Sequence, residues 1–442
     1  MIRSRCIRAP RFHRMPHVAR ALAAAAALVV VATGGARAQF AASCAAPVPV
    51  PLSLPAAEAR LAACNREVDA ARLAHDAAAA DLRIAAQRPN PSLTLGASNV
   101  NPHAGIGPGT LRDKTFDSSV RVEQLVERGG KAGLRVEQAR ALVAASAADV
   151  AEQLRTQRLA LRTAFFDLAA AQEKARLQRE FRRLSEASAD ASRRRFAAGD
   201  IPRVEADRFR LDAVRAANDE RQAQSDLQRA RAELAGLLAA EAQADALEVS
   251  AVWPDAPSPA RAAERADVRA ARLRLEAAER SRDLARSLAT RDVTVGMQAD
   301  RWPVSETNTQ GTGISYSLSV SFPLQVRHAN EGEALRALAD LESARAALAK
   351  ARAHAASDAR VSEEEWRAAS ERRRRAEAEV APAARDLAQG AEFAYAHGAS
   401  GVLELLDARR SLKSVELDEV QLRAEAAKAW ARREAAVESA GE

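Results

Sequence analysis

Two kinds of hydrophobic patterning alternate along this chain, and each occurs twice. Val143, Val150, Leu154, Leu161, Phe165 and Leu168 follow one another at intervals of 7, 4, 7, 4 and 3 residues. Heptad spacing of this kind predicts a long helix, over residues 131–198, packed side by side with others as a coiled coil. It contains no proline, and at about 1.5 Å per residue it reaches roughly 100 Å. Upstream the period falls to two. Leu93 and Leu95 alternate with Thr94 and Gly96, and Val120 and Val122 alternate with Arg121 and Glu123. That predicts a β-hairpin over 92–126 whose sheet has two unlike faces. The same order then returns. Leu318, Val320 and Phe322 alternate with Ser317, Ser319 and Ser321 in a hairpin over 293–322, followed by a long helix over 331–396. Pro382 should kink or locally open that second helix.

The punctuation fits these elements. A first helix runs from about Ala56 to Gln87, with a break near Asn65, and Arg88-Pro89-Asn90-Pro91 stops it,. Asn101 to Gly109 is a Gly- and Pro-rich hairpin loop. Gly199 and Gly398 end the long helices, where a residue free to adopt left-handed angles is favoured. Asp200 can cap the next helix, with Pro202 at an early position. Returning helices are expected over 202–241 and 402–438.

The two halves are copies. Val68-Asp69-Ala70-Ala71-Arg72-Leu73 recurs as Val268-Arg269-Ala270-Ala271-Arg272-Leu273, 200 residues later. Leu125 matches Leu324, and Phe196-Ala197-Ala198-Gly199 matches Tyr395-Ala396-His397-Gly398, both at 199. A chance match between Ala-rich helices accounts for one such pair, not for three in register. Each copy opens on prolines: Pro47, Pro49, Pro51 and Pro55, then Pro254, Pro257 and Pro259. The reading is a first repeat over 39–241, a Pro-rich linker over 242–260 and a second repeat over 261–442. On the return strands the register slips. Adding 199 to Val120 lands on Ser319, so the two copies should differ by one in face unless a bulge or shifted turn absorbs it.

Charge changes the picture only after processing. Residues 1–20 carry six arginines and no acid, an apolar run extends from Ala21 to Val31, and Ala36-Arg37-Ala38 offers a small-x-small cleavage site. This is the layout of a signal peptide over 1–38. An uncleaved anchor is the alternative, though the run is shorter than the roughly 20 residues a spanning helix needs. Removing seven leader arginines from 66 basic residues leaves 59, against 59 acids. The pI of 9.8 thus belongs mostly to the leader, and no nucleic-acid partner is implied. In an exported chain Cys44 and Cys64 can oxidise to a disulfide. Lipidation of Cys44, in the poor lipobox Ala41-Ala42-Ser43-Cys44, is the competing reading.

Chemistry is sparse. His75, His103, His328, His354 and His397 share no metal-ligand spacing, and no phosphate loop or nucleophile elbow appears,. The chain reads as a non-enzyme with no catalytic, cofactor or metal site. Its architecture is more telling. Two hairpins give four strands, the smallest membrane barrels need about eight, and open edges are not tolerated in lipid. Strands that enter a membrane must therefore share a barrel among chains, and three chains supply twelve. Phe116, Trp302, Tyr316 and Phe322 near strand ends fit interface anchors, and core packing explains them as well.

The chain resembles the TolC family of outer-membrane efflux proteins, and within it the heavy-metal (cobalt-zinc-cadmium type) branch. The residues that carry the resemblance are Arg88-Pro89-Asn90-Pro91-Ser92-Leu93, Glu127-Arg128-Gly129-Gly130-Lys131, Phe196-Ala197-Ala198-Gly199-Asp200, and the echoes Pro323-Leu324 and Tyr395-Ala396-His397-Gly398. Gln124 departs from it, standing where the second copy has proline. The resemblance implies a mainly helical fold with a β-barrel portion, in which long coiled-coil helices form a periplasmic α-barrel. It implies a homotrimer with four transmembrane strands per chain, set in outer-membrane lipid with a long periplasmic portion. It also implies a periplasmic adaptor and an inner-membrane pump of the resistance-nodulation-division type as partners. The family's helix tips map onto Gly199, Asp200, Ile201 and Pro202 and onto Gly398, Ala399, Ser400 and Gly401, as an adaptor-docking surface or simply as turns. Asp200, Glu205 and Asp207 could form acidic rings at a closed end, or could lie on a solvated helix face. Metal cations or small toxic compounds are the implied cargo. Alternatives are a periplasmic adaptor and the outer-membrane component of type I protein secretion.

Overall fold

The computed structural model describes residues 44, 46–99, 116–255, 264–302 and 313–438. The leader over 1–38, the loop Asn101 to Gly109, and Pro257 and Pro259 lie outside the described residues. The element order is α1 (Leu54–Cys64), α2 (Arg66–Ala86), β1 (Ser92–Ser98), β2 (Asp117–Val126), α3 (Lys131–Ala197) and α4 (Arg203–Leu237) in the first half. A short 3-10 turn, Glu241–Ala246, follows. The second half repeats the order: α5 (Ala266–Ser287), β3 (Val293–Trp302), β4 (Gly313–Ser321), α6 (Glu331–Arg375), α7 (Ala381–Ala396) and α8 (Val402–Val437).

The chain divides into two compact units. One comprises the described residues up to Arg66, Gln157–Pro254 and Glu371–Lys428. Leu161, Phe165 and Leu168 of α3 are buried there, so the heptad positions do face a core. Phe165 meets Phe166 edge-on, with centroids 5.7 Å apart, and Phe166 stacks on Trp253 at 5.8 Å. The N-terminal segment is pinned to this core. Cys44 and Cys64 form a disulfide. The Arg60 guanidinium donates to the carbonyls of Ala46 at 2.8 Å, Cys44 at 2.9 Å and Leu238 at 3.0 Å. Leu52 forms a parallel bridge with Val249.

The other unit comprises Glu67–Thr156, Asp255–Ser370 and the described residues from Ala429 on. With only 4% aromatic residues in the chain, its helices pack through alanine: Ala141, Ala145 and Ala148 of α3 and Ala266, Ala270 and Ala277 of α5 are buried. Arginines tie the helix flanks, for example Arg274 to Asp149 at 2.5 Å and Arg433 to Glu363 at 2.6 Å. Val143, Val150 and Leu154 are only half-buried.

Helix breaks have local causes. The first helix is interrupted at Asn65, whose extended backbone separates α1 from α2. Its side-chain amide donates to the carbonyl of Leu237 at 3.0 Å. The long helix of the second half opens just before Pro382, into a π turn over Ala376–Val380. The proline ring would clash with the carbonyl four residues back, and one added residue relieves that. The insertion is visible in the burial. Leu341, Leu348, Ser362 and Ala369 are buried at intervals of 7, 14 and 7 residues; beyond the turn Ala384 and Ala391, two of the buried alanines with Ala381 and Ala388, lie one residue off that count.

Candidate functional site

The four strands form one antiparallel sheet in the order β1-β2-β3-β4. Cross-strand partners share a face, so the ladder sorts the side chains. Leu93 pairs with Val122 and Leu95 with Val120. Val120 pairs with Ala299 and Val122 with Met297. Val295, Met297, Ala299 and Arg301 pair with Val320, Leu318, Tyr316 and Ile314. One face is therefore Leu, Val, Ala, Met, Ile and Tyr, with Ser118, Gln124 and Arg301 as polar exceptions, and it is bare: Leu95 is 71% exposed, Leu318 75% and Tyr316 76%. The opposite face carries Ser92, Thr94, Ser119, Arg121, Glu123, Gln298, Asp300, Ser315, Ser317 and Ser319, with Leu125 and Trp302 as apolar exceptions. Arg121 and Glu123 form an ion pair on it.

The expected difference in face between the copies does not occur. The hairpins coincide at an offset of 200, not 199. Gly96 faces Ser119 across β1–β2, and Gly296 faces Ser319 across β3–β4. A Cβ on either glycine would lie 2.5 or 2.6 Å from the facing serine Oγ. The change to 199 comes after Val122, where Glu123-Gln124 of the first copy stands against the single Pro323 of the second. Gln124 itself donates to the carbonyls of Pro89 at 2.9 Å and Leu125 at 2.8 Å.

A polar knot joins the foot of the sheet to the helices. Lys131, at the start of α3, is 8% exposed in its side chain; its Nζ bonds Asp292 Oδ1 at 2.8 Å and the Thr290 carbonyl at 2.7 Å. The Arg128 amide donates to the same carboxylate oxygen at 2.9 Å.

The two helix tips belong to the other unit and are built alike. Gly199 has φ +83 and Gly398 φ +74. At each, the following amide reaches back to a carbonyl five residues earlier: Asp200 to Arg195 at 2.9 Å and Ala399 to Ala394 at 2.8 Å. These are Schellman caps, closing carbonyls that a helix end leaves open. Ile201 is buried, Ser400 is half-buried, and Gly199, Asp200, Pro202, Gly398, Ala399 and Gly401 are exposed. The three acids have different surroundings. Glu205 accepts from Tyr395 Oη at 2.9 Å, Asp207 lies 3.6 Å from Arg203 Nε, and Asp200 is exposed. Arg195 donates to the same phenol oxygen at 3.2 Å. Phe209, Val402, Leu405 and Leu406 form the apolar cluster beneath, with Tyr395 packed against it. Burial, and then the neighbouring Glu205 carboxylate, raise the Tyr395 pKa above the usual phenol value. Tyr395 and Arg195 join the candidate tip site through these bonds; pattern reading does not reach them, although Tyr395 lies within the tip echo of the repeat.

No helix among the described residues is long and apolar enough to cross a membrane. Among the same residues no group of three or more His, Cys, Asp or Glu is placed to hold a metal.

Two segments of the chain, 59–240 and 259–437, match the model of a family described as outer membrane efflux protein. No curated protein matches the chain. Solved structures share the fold at low identity. A membrane protein from Pseudomonas aeruginosa is 18% identical with a TM-score of 0.74, over 89% of this chain and 91% of that one. The CusC structure, described in terms of folding and transmembrane channel formation, is 16% identical with a TM-score of 0.74, over 87% and 92%. The outer membrane protein VceC from Vibrio cholerae is 18% identical with a TM-score of 0.70, over 87% and 95%.

Proposed function

This chain belongs to the outer membrane efflux protein family, and from that premise we propose that it is the passive exit duct of a three-part efflux system. The observation that carries the reading is the four-stranded sheet, with one bare apolar face, one polar face and an open edge on either side. Lipid accepts the apolar face but not unpaired edges. A homotrimer resolves both demands: twelve strands close one barrel, apolar outward and polar toward the lumen. The long helices, tripled, form the periplasmic tunnel. The signal peptide over 1–38 sends the chain across the inner membrane.

The duct has no energy source in this account. A pump in the inner membrane, of the resistance-nodulation-division type, drives cargo through a periplasmic adaptor that docks on the tips Gly199-Asp200-Ile201-Pro202 and Gly398-Ala399-Ser400-Gly401. The exposed small residues there let another backbone approach closely. Cargo choice lies with the pump. Metal cations are the first candidates, on the branch resemblance, and small toxic compounds the second. The test is tolerance of a strain lacking this gene. Such a strain should show lowered tolerance to divalent metals or to organic toxicants, restored by the gene in trans. Unchanged tolerance across both panels, with the partner pump expressed, contradicts it.

A further inference from the structure

Within the unit that holds the helix tips, α3, α4 and α8 line a cavity of about 500 Å³. That lies inside the range of roughly 300–1,000 Å³ usual for small-molecule sites. Polar links set the three helices in register around it. Lys174 Nζ of α3 donates to Gln421 Oε1 of α8 at 2.6 Å, and Lys428 of α8 binds Asp167 of α3 at 2.8 Å. Arg182 of α3 binds Glu220 of α4 at 2.7 Å. Gln178 stands on α3 midway between Lys174 and Arg182, one turn from each,.

Gln178 lines the cavity at its buried side. It is 9% exposed, and its Oε1 has no hydrogen-bond partner among the described residues. An acceptor buried without a donor is costly, so this wall favours a ligand that brings an N–H.

The outer lining supplies charge. Of its five carboxylates, Asp167 is matched by Lys428, Asp219 by Lys413 at 2.6 Å and Asp226 by Arg229 at 3.3 Å. The carboxylates of Asp418 and Glu233 have no ion pair among the described residues. Asp418 lies about one turn of α8 from Gln421, level with Gln178,. Glu233 lies ten residues along α4 from Ala223, at the far end of the cavity, about 15 Å away by helix rise,. Carboxylates spread in this way do not surround a metal ion, and no group of three or more His, Cys, Asp or Glu among the described residues is placed to hold one. Between the two ends the lining is apolar, with Ala170, Ala171, Ala223, Ala230 and Leu417.

We propose that this cavity binds an elongated aliphatic amine. One ammonium donates to Gln178 Oε1 and is balanced by Asp418, the methylene stem lies along the alanines, and a second ammonium reaches Glu233. The site lies within a single chain, so it stands or falls apart from the trimer and from the duct reading.

Spermidine is the probe, titrated by calorimetry into the detergent-extracted particle at fixed ionic strength. Saturable binding of one amine per chain is expected, and magnesium chloride should not displace it. Gln178→Met keeps the side-chain length and removes the acceptor; Asp418→Asn, on the exposed lining, keeps the shape and removes the charge. Each should weaken binding roughly tenfold or more, as loss of a hydrogen bond to a charged group does. Spermidine should also raise the heating midpoint of the wild-type particle more than that of Gln178→Met, since a ligand that binds only the folded form stabilises it. No saturable binding, displacement by magnesium at equal ionic strength, or an affinity unchanged in either variant overturns the site.

Discussion

Ser319 lies directly across the β3–β4 ladder from Gly296, its Oγ 2.6 Å from where a Cβ on that glycine would stand. Glu123 crowds the other side, with Cγ at 3.2 Å from the same point. A branched residue at 296 must displace one of them. Gly296→Val is expected to cost about 1–3 kcal/mol, the usual range for overpacking. The readout is the heating midpoint at which the assembled particle separates into chains on gels. Adding Ser319→Gly should recover part of the loss. Equal midpoints for Gly296→Val and wild type would show that the two strands do not approach this closely.

The two faces of β4 should respond oppositely to charge. Leu318→Arg places a cation on the apolar face, where lipid makes it cost about 2–4 kcal/mol near the bilayer centre. Ser317→Arg, one residue away, turns into the polar face. Outer-membrane yield should fall for Leu318→Arg and stay near wild type for Ser317→Arg. The reverse order would mean that the face assignment is inverted.

Asp267 gives a pH test. Burial tends to raise its pKa, but the bonds from Arg265 outweigh this and leave it below the usual carboxylate value. The Arg265 guanidinium binds Asp267 at 2.6 Å and Asp358 at 2.9 Å with its side chain 8% exposed. A depressed folded-state pKa means stability that is fully present above the unfolded value, near 3.8, and lost as pH falls through the folded one. Asp267→Asn should cost about 1–3 kcal/mol at pH 7, as removal of a bond to a buried charge does. The gap to wild type should narrow below about pH 4. Denaturant midpoints by circular dichroism at pH 7 and pH 3 measure it; a gap independent of pH would remove the ion pair from the account.

The Cys44–Cys64 link closes a loop with a sequence separation of 20. Closing a loop of that size is worth about 3 kcal/mol in the chain-entropy account. Cys64→Ser should lower the midpoint accordingly and expose the N-terminal segment to protease. Mass spectrometry of the mature N-terminal peptide should show Cys44 joined to Cys64. A diacylglyceryl adduct on Cys44 would contradict the link and restore the lipid-anchor reading.

Much of this architecture could be read from spacing. Heptads at Val143 to Leu168 and alternation at Leu93 to Glu123 follow from single-chain geometry, so the helical and two-faced strand elements are visible in the sequence. What escaped depends on contacts between distant segments. With one offset carried through the whole repeat, the slip on the strands reads as a change of face. Only the paired ladder shows that Gly96-Ser119 and Gly296-Ser319 are equivalent and that the extra residue falls at Glu123-Gln124. Pro382 marks a disturbance, yet nothing local says that it will be met by one inserted residue over Ala376–Val380. The same holds for the tips. Gly199 and Gly398 are legible as helix ends, but Tyr395 meets Glu205 across 190 residues. The Arg60 clamp on three carbonyls has no sequence pattern at all.

The proposed duct needs three chains in the outer membrane, and the mass of the particle extracted from that membrane in mild detergent measures this directly. The mature protein is expected to sediment with outer-membrane fractions, and light scattering, corrected for detergent, to return three times the chain mass. A single chain recovered from the soluble periplasmic fraction would contradict it.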